Sequence, residues 1–425
     1  MGKRVLVIGS GAREHAIGTT LLRGDSVDEV ICAPGNPGMA LDGIRPADLD
    51  VADHAALVEG CRTLGVDWVF VGPEQPLIEG LVDDLTAAGI PAFGPTRAAA
   101  RIEGSKDFAK GLMARHGIPT AAYASFDDPD AARTYVKDHG APIVIKADGL
   151  AGGKGVTVAA SEDQALRALD DIFVGRHFGR AGDKVVIEDL LEGQECSLMC
   201  FVRGDRVWPM PLSQDHKPAY DGDRGPNTGG MGAYSPVPQF GPAIVQEALE
   251  TIVKPVAAAM VDEGFPFTGV LYTGLMITAS GPRVVEFNAR MGDPETEVVL
   301  PALTSDLGAG IMALMSGGEP RFTWEAGRSR ICVVLAADGY PQAPRLGSPV
   351  PLVGAAEDLH PFYAGVADVE GLGTPGFTAV SGRTLVIEAS GKDIPAARDR
   401  AYSVIDGLDT DGLFYRHDIG FRALG

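Results

Sequence analysis

The sequence predicts an α/β protein that opens on a doubly wound parallel sheet and closes on a small α+β domain. Three observations carry this. Short aliphatic runs alternate with helix-like stretches over roughly the first hundred residues, the runs end in glycine-bearing loops, and the last hundred residues hold two strand-like runs and one helix. At 425 residues the chain has room for about three domains of roughly 100 to 200 residues each, and hence for clefts between them.

The elements follow in order. Residues 4–9 are a continuous apolar run ending on Gly9, a helix-like stretch spans about 14–22, and 27–33 is a second run closing on Pro34-Gly35-Asn36. A third run, 66–71, stops at Gly72-Pro73-Glu74, and 89–95 reads as a short fourth strand. Near-continuous aliphatic strands between helices predict a parallel sheet covered on both faces, with ligands at the carboxyl ends of its strands. A helix is expected from Ala98 through His116, then a strand at 142–146, a glycine-rich loop, a strand at 156–160, a helix near 162–173 and a strand at 185–188. The runs 269–277 and 283–288, separated by Ala279-Ser280-Gly281-Pro282, read as a hairpin. Strands at 331–336 and 384–388 with a helix near 394–406 supply the closing domain.

Composition narrows the functional class. With 36 Lys+Arg against 57 Asp+Glu, a net charge of −21, the chain is unsuited to nucleic acid or an anionic membrane, so any phosphate must be held by local groups. No run approaches the ~18 apolar residues of a membrane span, and the N-terminal run is too short for a signal-peptide core. The five cysteines include no C-x2-C pair and are expected to be buried thiols in a reducing cytoplasm. Cys196 and Cys200, four apart, would share one face of a helix. The 56 glycines are about twice the usual ~7% and fall in clusters.

The first cluster, Gly9-Ser10-Gly11-Ala12-Arg13-Glu14, follows a strand and opens a helix. A dinucleotide fingerprint needs glycine where Glu14 stands and an acidic residue where the second strand ends in Pro34-Gly35-Asn36. A phosphate at the helix N-terminus, with Arg13 beside it, survives that objection, as does a tight turn with a solvated arginine. The second cluster runs from Lys146 to Val156. It lacks the glycine, the Ser/Thr and the following helix of a Walker loop. It suits a flexible hairpin loop folding over a triphosphate, and Lys146 in an apolar strand calls for an anion.

The third constellation is Glu286-Phe-Asn288-Ala-Arg290-Met-Gly-Asp293-Pro-Glu295-Thr-Glu297. On a strand Glu286 and Asn288 face the same way, offering two hard oxygen ligands for a Mg²⁺ shared with phosphates, and Arg290 continues the alternation. A solvated strand edge is the alternative. The fourth segment, 213–232, is a long loop punctuated by Gly and Pro and rich in charge. There is no G-x-S-x-G elbow and no H-E-x-x-H, and the eight histidines are scattered.

The order of these motifs resembles the ATP-grasp ligases and, within them, the glycinamide ribonucleotide synthetase family. The likeness rests on Gly9-Ser-Gly-Ala-Arg-Glu-His15, Pro34-Gly-Asn36, Gly72-Pro-Glu74, Glu103-Gly-Ser-Lys106, Lys146-Ala-Asp-Gly149, Gln214-Asp-His-Lys217, Gly225-Pro-Asn-Thr-Gly-Gly-Met-Gly232 and Glu286-Phe-Asn288, and it runs nearly the whole chain. The resemblance implies an N-terminal Rossmann-like domain (1–101), a two-lobed ATP-grasp region (102–325, its small lobe about 121–191) and a C-terminal α+β domain (326–425). It implies ATP-dependent ligation of glycine to 5-phosphoribosylamine, with another ATP-grasp ligase or carboxylase acting on a ribonucleotide as the alternative.

By the same resemblance, ATP would be held by Lys106, Lys146, the loop residues Gly149, Gly152, Gly153, Lys154 and Gly155, and by Glu188, Leu190 and Glu195. Mg²⁺ or Mn²⁺ would sit on Glu286 and Asn288. Phosphoribosylamine would lie over Gly11, Arg13, Glu14, Asn36, Gly72, Pro73, Glu74 and Asn227, with Asp215, Lys217, Arg290 and Asp293 as the catalytic side. A cytoplasmic monomer with small-molecule substrates is expected. Because anionic substrates must enter an acidic protein, Arg13, Lys106, Lys146, Lys217 and Arg290 are expected to make a local positive cleft.

Overall fold

The computed structural model describes residues 2–151, 155–175, 179–369 and 376–424. Its N-terminal sheet is parallel throughout, with strands β1 (Lys3–Gly9), β2 (Val27–Pro34), β3 (Arg45–Pro46), β4 (Trp68–Val71) and β5 (Ala92–Phe93) in the order β3-β2-β1-β4-β5. Helices α1 (Ala12–Leu22), α2 (His54–Leu64), α3 (Glu74–Glu79) and α4 (Leu81–Ala87) cover it. Val5 to Ile8 are wholly buried, as a strand with helices on both faces requires. The strand order reverses at β1, so the loops after β1 and β4 open into one crevice and bring Gly9–Gly11 near Gly72–Glu74.

The single helix expected over 98–116 is two helices, α5 (Arg97–Gly104) and α6 (Lys106–Arg115). Ser105 adopts an extended backbone and its Oγ accepts the Phe108 N–H at 3.1 Å, an N-cap that restarts the helix. The break places Lys106 at the first turn of α6.

A four-stranded antiparallel sheet comes next, built from β6 (Tyr123–Phe126), β7 (Ile143–Ala147), β8 (Val156–Ala159) and β9 (Val185–Asp189) in the order β6-β9-β7-β8. Helices α7 (Pro129–His139) and α8 (Glu162–Phe173) pack on one face through Ala132, Val136, Ile145 and Leu169. β7 and β8 form the expected hairpin, with Lys146 opposite Val156.

The larger sheet comprises β10 (Gln194–Arg203) and β11 (Arg206–Pro209), to which later strands return. The intervening chain carries β12 (Gln214–Asp215), β13 (Pro218–Tyr220), β14 (Arg224–Asn227), β15 (Gly232–Ser235), α9 (Pro242–Ala248) and α10 (Lys254–Asp262), followed by the predicted hairpin β16 (Thr268–Thr278) and β17 (Gly281–Asn288). The order β11-β10-β16-β17 leaves β17 at the edge. Cys196 and Cys200 lie on strand β10, not on a helix, and all five cysteines are free and buried.

After α11 (Thr296–Val299) and α12 (Leu307–Ser316), the chain adds β18 (Ser329–Ala337), β19 (Pro349–Val350), β20 (Leu359–Tyr363), β21 (Val366–Asp368), β22 (Phe377–Ala379), β23 (Arg383–Gly391), α13 (Ile394–Ile405) and β24 (Leu413–Phe414). The sheet β12-β15-β18-β23-β20 recruits β12 and β15 from the 213–232 segment. The segment expected as a long loop is thus stitched into the C-terminal sheet. No helix among the described residues is long and apolar enough to cross a membrane.

Candidate functional site

The carboxyl end of the N-terminal sheet, the β7–β8 hairpin, the end of β17 and the C-terminal sheet converge on a cavity of about 440 Å³. Lys146 reaches it from β7. Its Nζ donates to the Val285 carbonyl at 3.0 Å and pairs with Glu188 at 2.9 Å. The break at Ser105 sets Lys106 beside the loop after β7, where its Nζ donates to the Gly149 carbonyl at 3.1 Å. Burial lowers the Lys106 ammonium against the pull of Glu286. Gly155 lines the cavity near Leu150, whereas Gly152, Gly153 and Lys154 lie outside the described residues.

Glu286 projects into the cavity and takes no hydrogen bond or ion pair among the described residues. Burial opposes its ionisation, but Lys217, Lys146 and Lys106 outweigh it and hold the carboxyl below its ordinary range. Asn288 shares the strand face, its Oδ1 accepting from Arg290 Nη2 at 3.2 Å. A free carboxylate beside an amide oxygen suits a hard divalent cation that completes its shell with phosphate oxygens and water.

On the opposite wall, Lys217 Nζ lies 3.1 Å from Asp215 and 3.7 Å from Glu195. Burial works against the Lys217 ammonium, but those carboxylates prevail and hold it well above the usual lysine range. Glu195 is half exposed and Leu190 follows the end of β9; neither lines the cavity. The side chain of Glu188 is wholly occupied by two lysines, Lys146 and Lys110, the latter at 3.0 Å. A contact between Glu188 and a base would therefore fall to its backbone.

Several expected substrate contacts serve as internal braces in this structure. Glu14 Oε2 accepts the Gly11 N–H at 2.8 Å and Oε1 accepts Arg13 Nε at 2.6 Å, so the protein's own carboxylate occupies the start of α1 where a phosphate was expected. Gly72 has no side chain because a Cβ there would collide with the Glu14 carboxylate and the Ile8 carbonyl. Asn36 is buried away from the cavity, donating to the carbonyls of Ser10 at 2.8 Å and Tyr363 at 2.9 Å. Asn227 is exposed on β14, and its neighbours Thr228 and Gly229 line the wall in its place. Of this group, Arg13, Pro73 and Glu74 face the cavity.

Other lining residues were missed. Arg383, on β23, pairs with Asp293 at 2.8 Å and donates to the Gly229 carbonyl at 3.1 Å, while Tyr340 accepts the Gly229 N–H. Tyr272 and Ser197 hydrogen-bond Glu295 inside the wall, at 2.9 and 3.0 Å. Glu103 anchors Arg290. Lys110 could have been anticipated four residues after Lys106, one turn along the same helix face. Nothing local marks Arg383. The five predicted cations do converge, but among the described residues seven cationic and seven acidic side chains line the cavity, so the cleft is balanced in formal charge, not net positive. Against a chain with 36 basic and 57 acidic residues, that is still a local concentration of positive charge.

Family models place these parts. The phosphoribosylglycinamide synthetase N domain matches residues 3–103, its ATP-grasp (A) domain 104–296 and its C domain 330–422. The chain belongs to the phosphoribosylglycinamide synthetase family. A phosphoribosylamine–glycine ligase of Streptococcus pyogenes serotype M18 is 47% identical, with 99% of each chain covered. Another from Lactococcus lactis is 47% identical over 99% of this chain and 100% of that one. The crystal structure of phosphoribosylamine–glycine ligase from Thermotoga maritima superposes with a TM-score of 0.84 at 33% identity, covering 98% of this chain and 100% of that one. A biotin carboxylase domain from Hydrogenobacter thermophilus, in complex with MgADP, shares the fold at a TM-score of 0.75 and 16% identity, covering 98% of this chain and 92% of that one. Members of the synthetase family thus carry the three-part architecture described above.

Proposed function

We propose that this synthetase-family chain is an ATP-dependent carbon–nitrogen ligase that joins glycine to 5-phosphoribosylamine, releasing ADP and phosphate, in purine biosynthesis. The observation that carries the reading is the single cavity uniting the crevice of the N-terminal sheet, at Arg13 and Glu74, with Lys106, Lys146 and the free Glu286 carboxylate. The lining of this cavity offers cations for a sugar phosphate and for ATP phosphates beside a strand edge suited to a divalent cation.

In this reading a carboxylate oxygen of glycine attacks the γ-phosphorus and the bond to the ADP oxygen breaks. The amine of phosphoribosylamine then attacks the acyl carbon of glycyl phosphate, loses a proton, and phosphate departs with the carboxylate oxygen. Lys106 and Lys146 offset charge on the phosphates. Glu286 and Asn288 would hold Mg²⁺ or Mn²⁺, which supplies charge neutralisation at phosphate oxygens. Arg290, Asp293, Lys217 and Asp215 orient the acyl and amine groups, and Arg13, Pro73 and Glu74 the sugar phosphate. Because glycyl phosphate is exposed to hydrolysis, the 213–232 segment excludes water during transfer, while residues 152–154 of the expected covering loop lie outside the described residues. The enzyme acts as a cytoplasmic monomer.

Phosphate release measured with ATP, glycine and fresh phosphoribosylamine, each omitted in turn, tests this. Release should require all three. Release independent of glycine removes the ligase reading.

A further inference from the structure

Lys110 has no place in the chemistry above, yet it is one of the most buried charges in the protein, at 2% exposure, and it lines the cavity. It stands on α6, one turn after Lys106. Its Nζ pairs with Glu188 at 3.0 Å and donates to Thr120 Oγ1 at 2.8 Å, and Thr120 in turn donates to the Val284 carbonyl on β17 at 2.7 Å. The other oxygen of Glu188 pairs with Lys146 at 2.9 Å. Two buried ammonium groups therefore share one buried carboxylate. Counted by itself the triad carries one net positive charge, and Glu286, which Lys146 helps to keep ionised, forms no ion pair with it; burying such a charge is costly unless an anion arrives to meet it.

We propose that Lys110 is a positioning residue for ATP: by drawing on Glu188 it keeps Lys146 only half neutralised and so leaves a net positive charge facing the triphosphate. This rests on the reading of the cavity as the ATP site. Without Lys110, Glu188 and Lys146 become a balanced pair, and the carboxylate holds Lys146 back from the phosphates. A merely structural lysine would behave differently, because further damage to the triad would then only add to the loss.

Burial lowers the Lys110 ammonium to about 8, against the pull of Glu188 and with the repulsion of Lys146. The charged or titratable groups facing it are Glu188 on β9, Lys146 on β7 and Tyr123 on β6, whose ring lies 5.7 Å away. The charged form prevails below that value, so ATP affinity should weaken as pH rises through it.

Titration calorimetry of the full chain with ATP and Mg²⁺ decides the matter. Lys110→Met should weaken ATP binding about tenfold or more, and Lys110→Met/Glu188→Gln should recover at least about threefold of that, because Lys146 regains its free charge. Wild-type affinity should fall at least about threefold from pH 7 to 9, and Lys110→Arg, which stays charged, should abolish that fall. The pH comparison stands even if Lys110→Met does not fold. Unchanged affinity in Lys110→Met, a double variant weaker than the single one, or a flat wild-type profile would overturn the proposal. Since binding is read directly, a protein unable to ligate glycine would sink the ligase reading without altering this comparison.

Discussion

Arg290 Nη2 lies 3.1 Å from Glu103 Oε1, a contact that ties the end of β17 to the last turn of α5. The same guanidinium reaches Glu74 at 3.3 Å, so one side chain holds the N-terminal crevice against the metal-ready strand. Burial pushes Glu103 up to about 7 despite Arg290 beside it. Breaking this fork with Arg290→Met leaves two carboxylates facing each other in a desolvated wall. The expected loss is about 3 to 5 kcal/mol in urea unfolding at pH 7.5. An unchanged urea midpoint would contradict the role given to the fork.

Glu286→Gln keeps the shape of the strand edge and removes its free charge. Turnover should fall at least about 100-fold, with an unchanged melting temperature and a raised Mg²⁺ requirement. Near-normal turnover at saturating Mg²⁺ would take Glu286 out of the metal site.

Arg383 reaches the cavity from the C-terminal sheet and braces Asp293 and Gly229. In the proposed reading it belongs to the acyl-transfer side and not to the ATP wall. Arg383→Met should therefore lower glycine-dependent kcat about 100-fold while ATP affinity changes less than about threefold. Equal losses in both measurements would show that the C-terminal sheet supports the whole cleft without a specific role.

Two buried histidines are expected to make the fold acid-sensitive. His15 Nδ1 accepts the Tyr363 N–H at 3.0 Å, so its proton sits on Nε2 and is donated to Asp42 at 2.7 Å, an arrangement that also leaves no lone pair there for a metal. His216 Nε2 accepts the Gly420 N–H at 2.9 Å. Burial lowers both imidazoles. With the folded-state values below the unfolded value near 6.5, the unfolded chain takes up protons first as pH falls. Stability should drop by up to about 1.4 kcal/mol per pH unit per histidine below about pH 6.5. Asp42, held low through burial-opposing bonds to His15 and His360, keeps its contribution until far more acidic pH. Urea unfolding at pH 7, 6 and 5 should show a shallower slope in His15→Gln; an identical slope would refute this origin.

The sheet strands were legible because each is a run of aliphatic residues between glycine-bearing turns, and β16–β17 was legible from its turn residues. The break between α5 and α6 had a local signal, Gly104-Ser105, that the apolar periodicity on either side masked. Glu14 misled because a carboxylate at a helix start answers the same unpaired N–H groups that a bound phosphate would. Arg383 and Tyr340 were invisible for a different reason. They meet Gly229 only because β15 pairs with β18, a register that no local pattern announces. The balanced charge of the cleft was partly hidden likewise, since Glu188 meets Lys110 and Lys146, and Glu74 and Glu103 meet Arg290, from distant segments.

The most direct measurement of the central claim follows a labelled oxygen. Glycine carrying ¹⁸O in its carboxylate is turned over with ATP and phosphoribosylamine, and the released phosphate is examined by mass spectrometry. Attack of that carboxylate on the γ-phosphorus predicts one ¹⁸O in each phosphate formed from doubly labelled glycine. Phosphate free of label would contradict activation of glycine as an acyl phosphate, and with it the ligase account of this cavity.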